Sequence, residues 1–137
     1  MRTITKRIAQ AGAAVAMALT TAVTMTGQAN ATETLYAEAW TGTGTSGKLV
    51  AQGFYSPITN NGYISDRYAD GYGVYIQFQE DIYGVWANTR TYVNNKGAGQ
   101  KVSFTYTPYY RDGDVLRMRV CRNSATGPCS SWKYGVA

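Results

Sequence analysis

From Leu35 to Val136 apolar side chains recur at every second residue in short runs, and each run is cut off by Gly, Asn, Asp or Pro. Spacings of three and four residues, which a helix needs to bury one face, are nearly absent. Alternation with period two is the signature of strands that bury one face and wet the other.

The runs can be followed along the chain. Leu35, Ala37 and Ala39 alternate with Tyr36, Glu38 and Trp40 as far as Thr41, before the segment Gly42-Thr43-Gly44-Thr45-Ser46-Gly47. A second run from Lys48 to Tyr55 is broken by Pro57 and by Asn60-Asn61-Gly62, because Pro cannot donate to a ladder and Asn-Gly accepts positive φ. Tyr63 to Gly73 mixes Tyr63, Tyr68 and Tyr72 with Gly, Asp66, Arg67 and Asp70 and is expected to include a long loop. Val74, Ile76 and Phe78 then alternate with Tyr75, Gln77 and Gln79 in the clearest strand, which Glu80-Asp81 is expected to end.

Val85 to Val93 places Trp86, Asn88, Arg90 and Tyr92 on one face. Lys101 to Thr107 turns Val102, Phe104 and Tyr106 inward before a corner formed by Pro108 and Arg111-Asp112-Gly113-Asp114. Val115 to Arg122 sets Leu116, Met118 and Val120 against Val115, Arg117, Arg119 and Cys121, and Ser131 to Val136 closes the chain with Trp132, Tyr134 and Val136 in step. The expected fold is all-β: an antiparallel β-sandwich, or a small barrel, of about seven strands in one domain. A two-sheet core of this size wants large inward side chains, so at least two of Trp40, Trp86 and Trp132 are expected inside it.

The first 31 residues do not share the pattern. Arg2, Lys6 and Arg7 precede an uncharged apolar run from Ile8 to Met25, and Ala29-Asn30-Ala31 supplies small residues at a cleavage position. Residues 1–31 therefore read as a secretory signal peptide, with a secreted, extracellular β-domain from Thr32 to Ala137 and no membrane association after cleavage. The leader also carries three of the five excess positive charges, so a net +5 over the whole chain falls to +2 without it. So small an excess gives no reason to expect nucleic-acid binding.

Secretion bears on the two cysteines. Cys121 and Cys129 are expected to form one local disulfide in an oxidising compartment, closing Arg122-Asn123-Ser124-Ala125-Thr126-Gly127-Pro128 into a stapled hairpin loop. A rigid loop loses less entropy on binding, so Arg122, Asn123, Ser124, Thr126 and Pro128 are candidate partner-binding residues. Tyr63, Arg67, Tyr68 and Tyr72 form a second candidate set, with stiff amphipathic rings on a glycine-rich backbone. Arg117 and Arg119 share a strand face beside the staple, and their planar forks suit carboxylates on a partner.

Enzymatic chemistry has little to work with. The chain contains no His, which removes Ser-His-Asp and Cys-His nucleophile pairs and His-ligated zinc. Asp112-Gly113-Asp114 offers two carboxylates where calcium wants six to eight oxygens. No catalytic residues, metal or cofactor are expected, and a hydrolase built on two facing carboxylates is the least favoured reading.

The ending Val115-Leu116-Arg117-Met118-Arg119-Val120-Cys121-Arg122 followed by Cys129-Ser130-Ser131-Trp132 resembles the last strands of small secreted one-disulfide β-proteins of streptomycetes and related actinobacteria. Together with the leader and the length of the domain, it also resembles the adaptor subunit of umbrella toxin particles. That resemblance implies a non-enzymatic β-protein that joins a stalk-bearing toxin chain to lectin-bearing subunits through protruding loops. The Cys121 to Cys129 loop would be one such element and the Tyr63 to Gly73 region another. The expected function is a secreted, non-catalytic protein-interaction module whose partners are other secreted proteins, such as toxin-complex subunits. Two alternatives remain: a proteinase inhibitor presenting Arg122 or a neighbour to a protease, and a glycan- or cell-wall-binding module using Trp and Tyr faces.

Overall fold

The computed structural model describes residues 34–42 and 47–137; the expected leader lies outside them. Among the described residues eight strands form: β1 Leu35–Thr41, β2 Lys48–Ser56, β3 Asn61–Asp66, β4 Val74–Ile82, β5 Val85–Asn94, β6 Lys101–Thr105, β7 Val115–Arg122 and β8 Lys133–Val136. They make two antiparallel four-stranded sheets, ordered β1-β2-β3-β6 and β5-β4-β7-β8. The inner faces pack on each other as a β-sandwich, so the barrel is set aside.

The strand beyond the expected seven is β3, which occupies part of the stretch read as loop. Its inward row is Gly62, Ile64 and Asp66 and its outward row Tyr63 and Ser65. An inner face made of a glycine and an acid hides the apolar alternation that would have announced it. Tyr63 is therefore a strand residue. β4 also continues beyond Glu80-Asp81 to Ile82, where Tyr83-Gly84, both at positive φ, make a two-residue hairpin turn into β5.

Small inward residues let the sheets close. Gly53 of β2 faces Val120 of β7 and Ile76 of β4 so closely that a β-carbon would overlap Val120 Cγ1. Beside it Ala37, Ala39 and Ala51 are buried. The volume is supplied instead by Tyr55, Phe78, Tyr106 and Tyr110, with Tyr55 edge-on to Phe78 at 5.0 Å and Tyr106 stacked on Tyr110 at 4.0 Å. A tyrosine can fill a core and still satisfy its polar end: Tyr55 donates its hydroxyl to Asn60 Oδ1 at 2.8 Å.

The tryptophans are not in this core. Trp40 is 48% exposed, and Trp86 and Trp132 are half-buried against arginines on the outside of the second sheet. A β-bulge accounts for Trp86. Phe78 pairs with Arg90 but Glu80 pairs with Ala87, so Gln79 opposes both Asn88, at φ 50, and Thr89. One extra residue reverses which side the strand shows. Arg90 and Tyr92 consequently face inward, where Tyr92 stacks on Phe104 at 4.2 Å, and Trp86 faces outward.

Candidate functional site

Among the described residues, the connections 67–73 after β3, 95–100 after β5 and 123–132 after β7 meet at one end of the sandwich. The last is held by the Cys121–Cys129 disulfide, with a Cα–Cα distance of 4.1 Å across a separation of eight residues. Backbone bonds close the loop from within: Arg122 N–H to Pro128 C=O at 3.0 Å, Gly127 N–H to Ser124 C=O at 3.1 Å and Ser130 N–H to Val120 C=O at 2.8 Å. This is the stapled hairpin expected from the cysteine spacing. The closed disulfide is compatible with an oxidising location outside the cell, and no helix among the described residues is long and apolar enough to cross a membrane.

The structure then does something that no local pattern shows: it joins the stapled loop to the Tyr/Gly loop. Asn123 N–H donates to Gly73 C=O at 2.8 Å. Arg122 Nη1 meets Asp70 Oδ2 at 3.3 Å, Nε donates to Ser124 Oγ at 3.2 Å, and the guanidinium lies 5.0 Å from the centre of the Tyr72 ring. Asp70 is fixed in turn because its Oδ1 accepts the Tyr72 N–H at 3.0 Å. Arg122–Asp70 is the one ion pair among the described residues.

Two buried side chains support the junction from below. Asn94 donates to the carbonyls of Ile64 and Gln100 at 3.2 and 2.9 Å and accepts Lys96 N–H at 3.0 Å, tying β5 to β3 across the end of the sandwich. Asp66, 1% exposed, accepts Tyr68 N–H at 3.1 Å through Oδ1, while its Oδ2 has no hydrogen-bond partner among the described residues. Burial pushes the Asp66 carboxyl above the usual carboxylate range, partly offset by the Tyr68 bond. A hollow of about 290 Å³ opens above, lined by Asp66, Tyr68, Tyr72, Asn95 and glycine backbone.

The expected binding residues divide among three places. Arg122, Asn123, Ser124, Thr126, Pro128, Arg67, Tyr68 and Tyr72 share the stapled end. Tyr72 is 49% exposed, whereas Tyr68 is half-buried against the core with its hydroxyl accepting from Lys48 Nζ at 2.9 Å. Tyr63 is elsewhere: on the outer face of the first sheet, stacked on Phe54 at 5.2 Å with Lys101 Nζ 4.0 Å from its ring centre. Arg117 and Arg119 lie on the outer face of the second sheet.

Sequence reasoning missed the opposite end of the molecule. There Tyr83 is fully exposed at the tip of the β4–β5 hairpin between Ile82 and Val85, near exposed Tyr109. A hollow of about 590 Å³ beside it is lined by Glu80, Asp81, Arg90, Arg111 and Asp114. These acids are engaged locally: Asp81 accepts Gly84 N–H at 2.6 Å, Asp114 accepts Arg111 N–H at 2.8 Å, and Glu80 accepts from Asn88 and Tyr106. The signal for the tip was an aromatic residue directly before Gly84, a turn position that usually takes Asn or Asp. Among the described residues no cluster of three or more His, Cys, Asp or Glu side chains could hold a metal ion.

No family model, no curated protein and no solved structure matches the chain.

Proposed function

We propose that the protein is a secreted, non-catalytic interaction module that binds a partner protein through the stapled end. The observation that carries this reading is the junction of the two loops through Arg122, Asp70, Tyr72, Asn123 and Gly73. Loops that would each lose entropy on binding are already cross-linked, so the contacts they make are less offset by ordering. Exposed Tyr72 and Thr126, with half-buried Pro128, give the mixture of rigid aromatic and polar groups that protein interfaces favour. The leader, the single local disulfide and the length of the domain, which resemble those of the adaptor subunit of umbrella toxin particles, support a partner within an extracellular toxin assembly.

The inhibitor alternative asks Arg122 to enter a protease pocket. Its side chain is instead folded onto Asp70 and Tyr72, so that role would first require breaking the pair. A carboxylate-based hydrolase gains nothing from Asp66 and Asp70, both of which hold loop backbone.

The test is affinity capture from native culture supernatant with the tagged protein and a Tyr72→Ala/Arg122→Ala variant. Recovery of one secreted protein in fixed ratio, lost with the variant and retained by Tyr83→Ala, is the expected result. Equal recovery by all three proteins would sink the assignment of the site, and recovery of a protease alone would favour inhibition.

A further inference from the structure

The outer face of the β5-β4-β7-β8 sheet carries an arrangement that the stapled end does not use. Alternation on β7 sends Leu116, Met118 and Val120 into the core and leaves Arg117 and Arg119 outside. The Arg117 guanidinium lies 4.3 Å from the Trp86 ring centre and 4.2 Å from that of Trp132, and Arg119 lies 4.4 Å from Trp132. Cross-strand register places Gln79 opposite Arg117 and Gln77 opposite Arg119. Gln79 Oε1 accepts from Arg117 Nε at 2.9 Å and from Nη2, and Gln77 Oε1 accepts from Arg119 Nε at 3.0 Å.

Two guanidinium groups are thus held in place by neutral partners. A guanidinium offers five N–H donors; the glutamines occupy two on Arg117 and one on Arg119. Neither arginine has a carboxylate within ion-pair reach among the described residues. Like charges at alternate positions of one strand stand about 6.8 Å apart and repel. Their fixed geometry and missing counter-charge leave a site complementary to two carboxylates at the same spacing.

We propose that this face docks an extended acidic segment of a partner protein, with Asp or Glu at alternate positions. Each carboxylate would take paired N–H donors from one arginine. A strand repeats its side chains on one face at the spacing of Arg117 and Arg119, which a segment with acids at i and i+2 matches. Val115, 40% exposed, continues the same row, so an apolar residue two positions from the first acid completes the match. A polysaccharide carries no such residue, and the indole faces it would stack on are covered: Trp132 by both arginines, Trp86 by Arg117 and by Tyr134 at 5.7 Å. The face is separate from the stapled end and stands whether or not that end binds.

The experiment is titration of the purified protein at low salt with the peptide Thr-Val-Thr-Glu-Thr-Glu-Thr, followed by amide NMR shifts. Saturable shifts on Gln77, Gln79, Arg117 and Arg119 are expected. Arg119→Gln, which leaves the Trp86–Arg117–Trp132 stack intact, should weaken binding about tenfold, as the loss of one charge-assisted pair implies. Tyr72→Ala should leave it unchanged, and a peptide with the two Glu adjacent should bind more weakly. No saturable shift up to about 1 mM peptide, weaker than any useful contact of this kind, would overturn the proposal. So would equal binding of the adjacent-Glu peptide, or tighter binding of polygalacturonate.

Discussion

The two ends of the sandwich are held by different physics. At the stapled end the loops bury little of their own and are fixed by a disulfide, an ion pair and the bond from Asn123 N–H to Gly73 C=O. At the opposite end the β6–β7 connection drives Tyr106 and Tyr110, 0% and 7% exposed, into the core. The neighbouring β4–β5 hairpin then projects beyond that anchor with Tyr83 wholly exposed. Burial can anchor the base of a connection but says nothing about its tip, whereas cross-links can order a whole loop that has no core to enter.

The comparison breaks first if burial is not the anchor of the hairpin end. Tyr110→Ala should cost about 3 to 4 kcal/mol, as expected for deleting a buried aromatic ring, read by urea unfolding. A loss below about 1 kcal/mol would place the anchor elsewhere.

At the stapled end the joint replacement Cys121→Ala/Cys129→Ala should cost about 2.5 kcal/mol from the closed loop. Hydrogen exchange should show protection lost in 121–131 and in 67–73 while β4 keeps it. Exchange rising evenly over the whole chain would mean that the staple supports the sandwich rather than the site.

A smaller effect separates the ion pair from its surroundings. Arg122→Ala should cost about 1 kcal/mol, because the pair is only partly shielded from solvent, with side chains 21% and 14% exposed. A double-mutant cycle with Asp70→Ala measures the coupling, and additive losses would show that Tyr72 and Ser124 hold Arg122 without Asp70.

The hairpin tip should respond in the other direction. Tyr83 sits at φ 54 with nothing covering it. Tyr83→Asn is expected to raise stability by about 0.5 to 1 kcal/mol, since Asn tolerates that backbone at lower cost. A loss would reveal a supporting contact of the ring.

The least effect belongs to Asp66. Burial raises its folded-state carboxyl, so the folded protein binds the proton more tightly than the unfolded chain. Stability contributed by this group is full below the ordinary carboxylate value and falls as pH rises through the folded one. Asp66→Asn should therefore be more favourable relative to the unmodified protein at pH 7 than at pH 3. A difference that does not change with pH would show that the carboxyl is hydrated.

Legibility in the sequence followed the reach of each interaction. β4 and β7 could be read because Val74, Ile76 and Phe78, and Leu116, Met118 and Val120, keep an unbroken period of two. β3 could not, because Gly62 and Asp66 occupy its inner row. The outward position of Trp86 was hidden by the bulge at Asn88, which leaves no mark in a pattern of alternating residues. Within the candidate site, the stapled loop was legible from two cysteines in one chain. Its contact with Asp70 and Gly73 was not, since Arg122 and Asp70 are 52 residues apart.

The sequence by itself determined that the domain from Leu35 onward is all-β, that Cys121 has one available partner, and that Arg117 and Arg119 share the outer face of their strand. These follow from period-two geometry and from counting, both of which act within a few residues. Tertiary structure decided that two loops form one surface, that Tyr63 belongs to another, and that tyrosines rather than tryptophans fill the core. Those outcomes depend on which strands become neighbours and on how closely Gly53 lets Val120 approach. They are set by packing between segments distant along the chain, where local pattern carries no information.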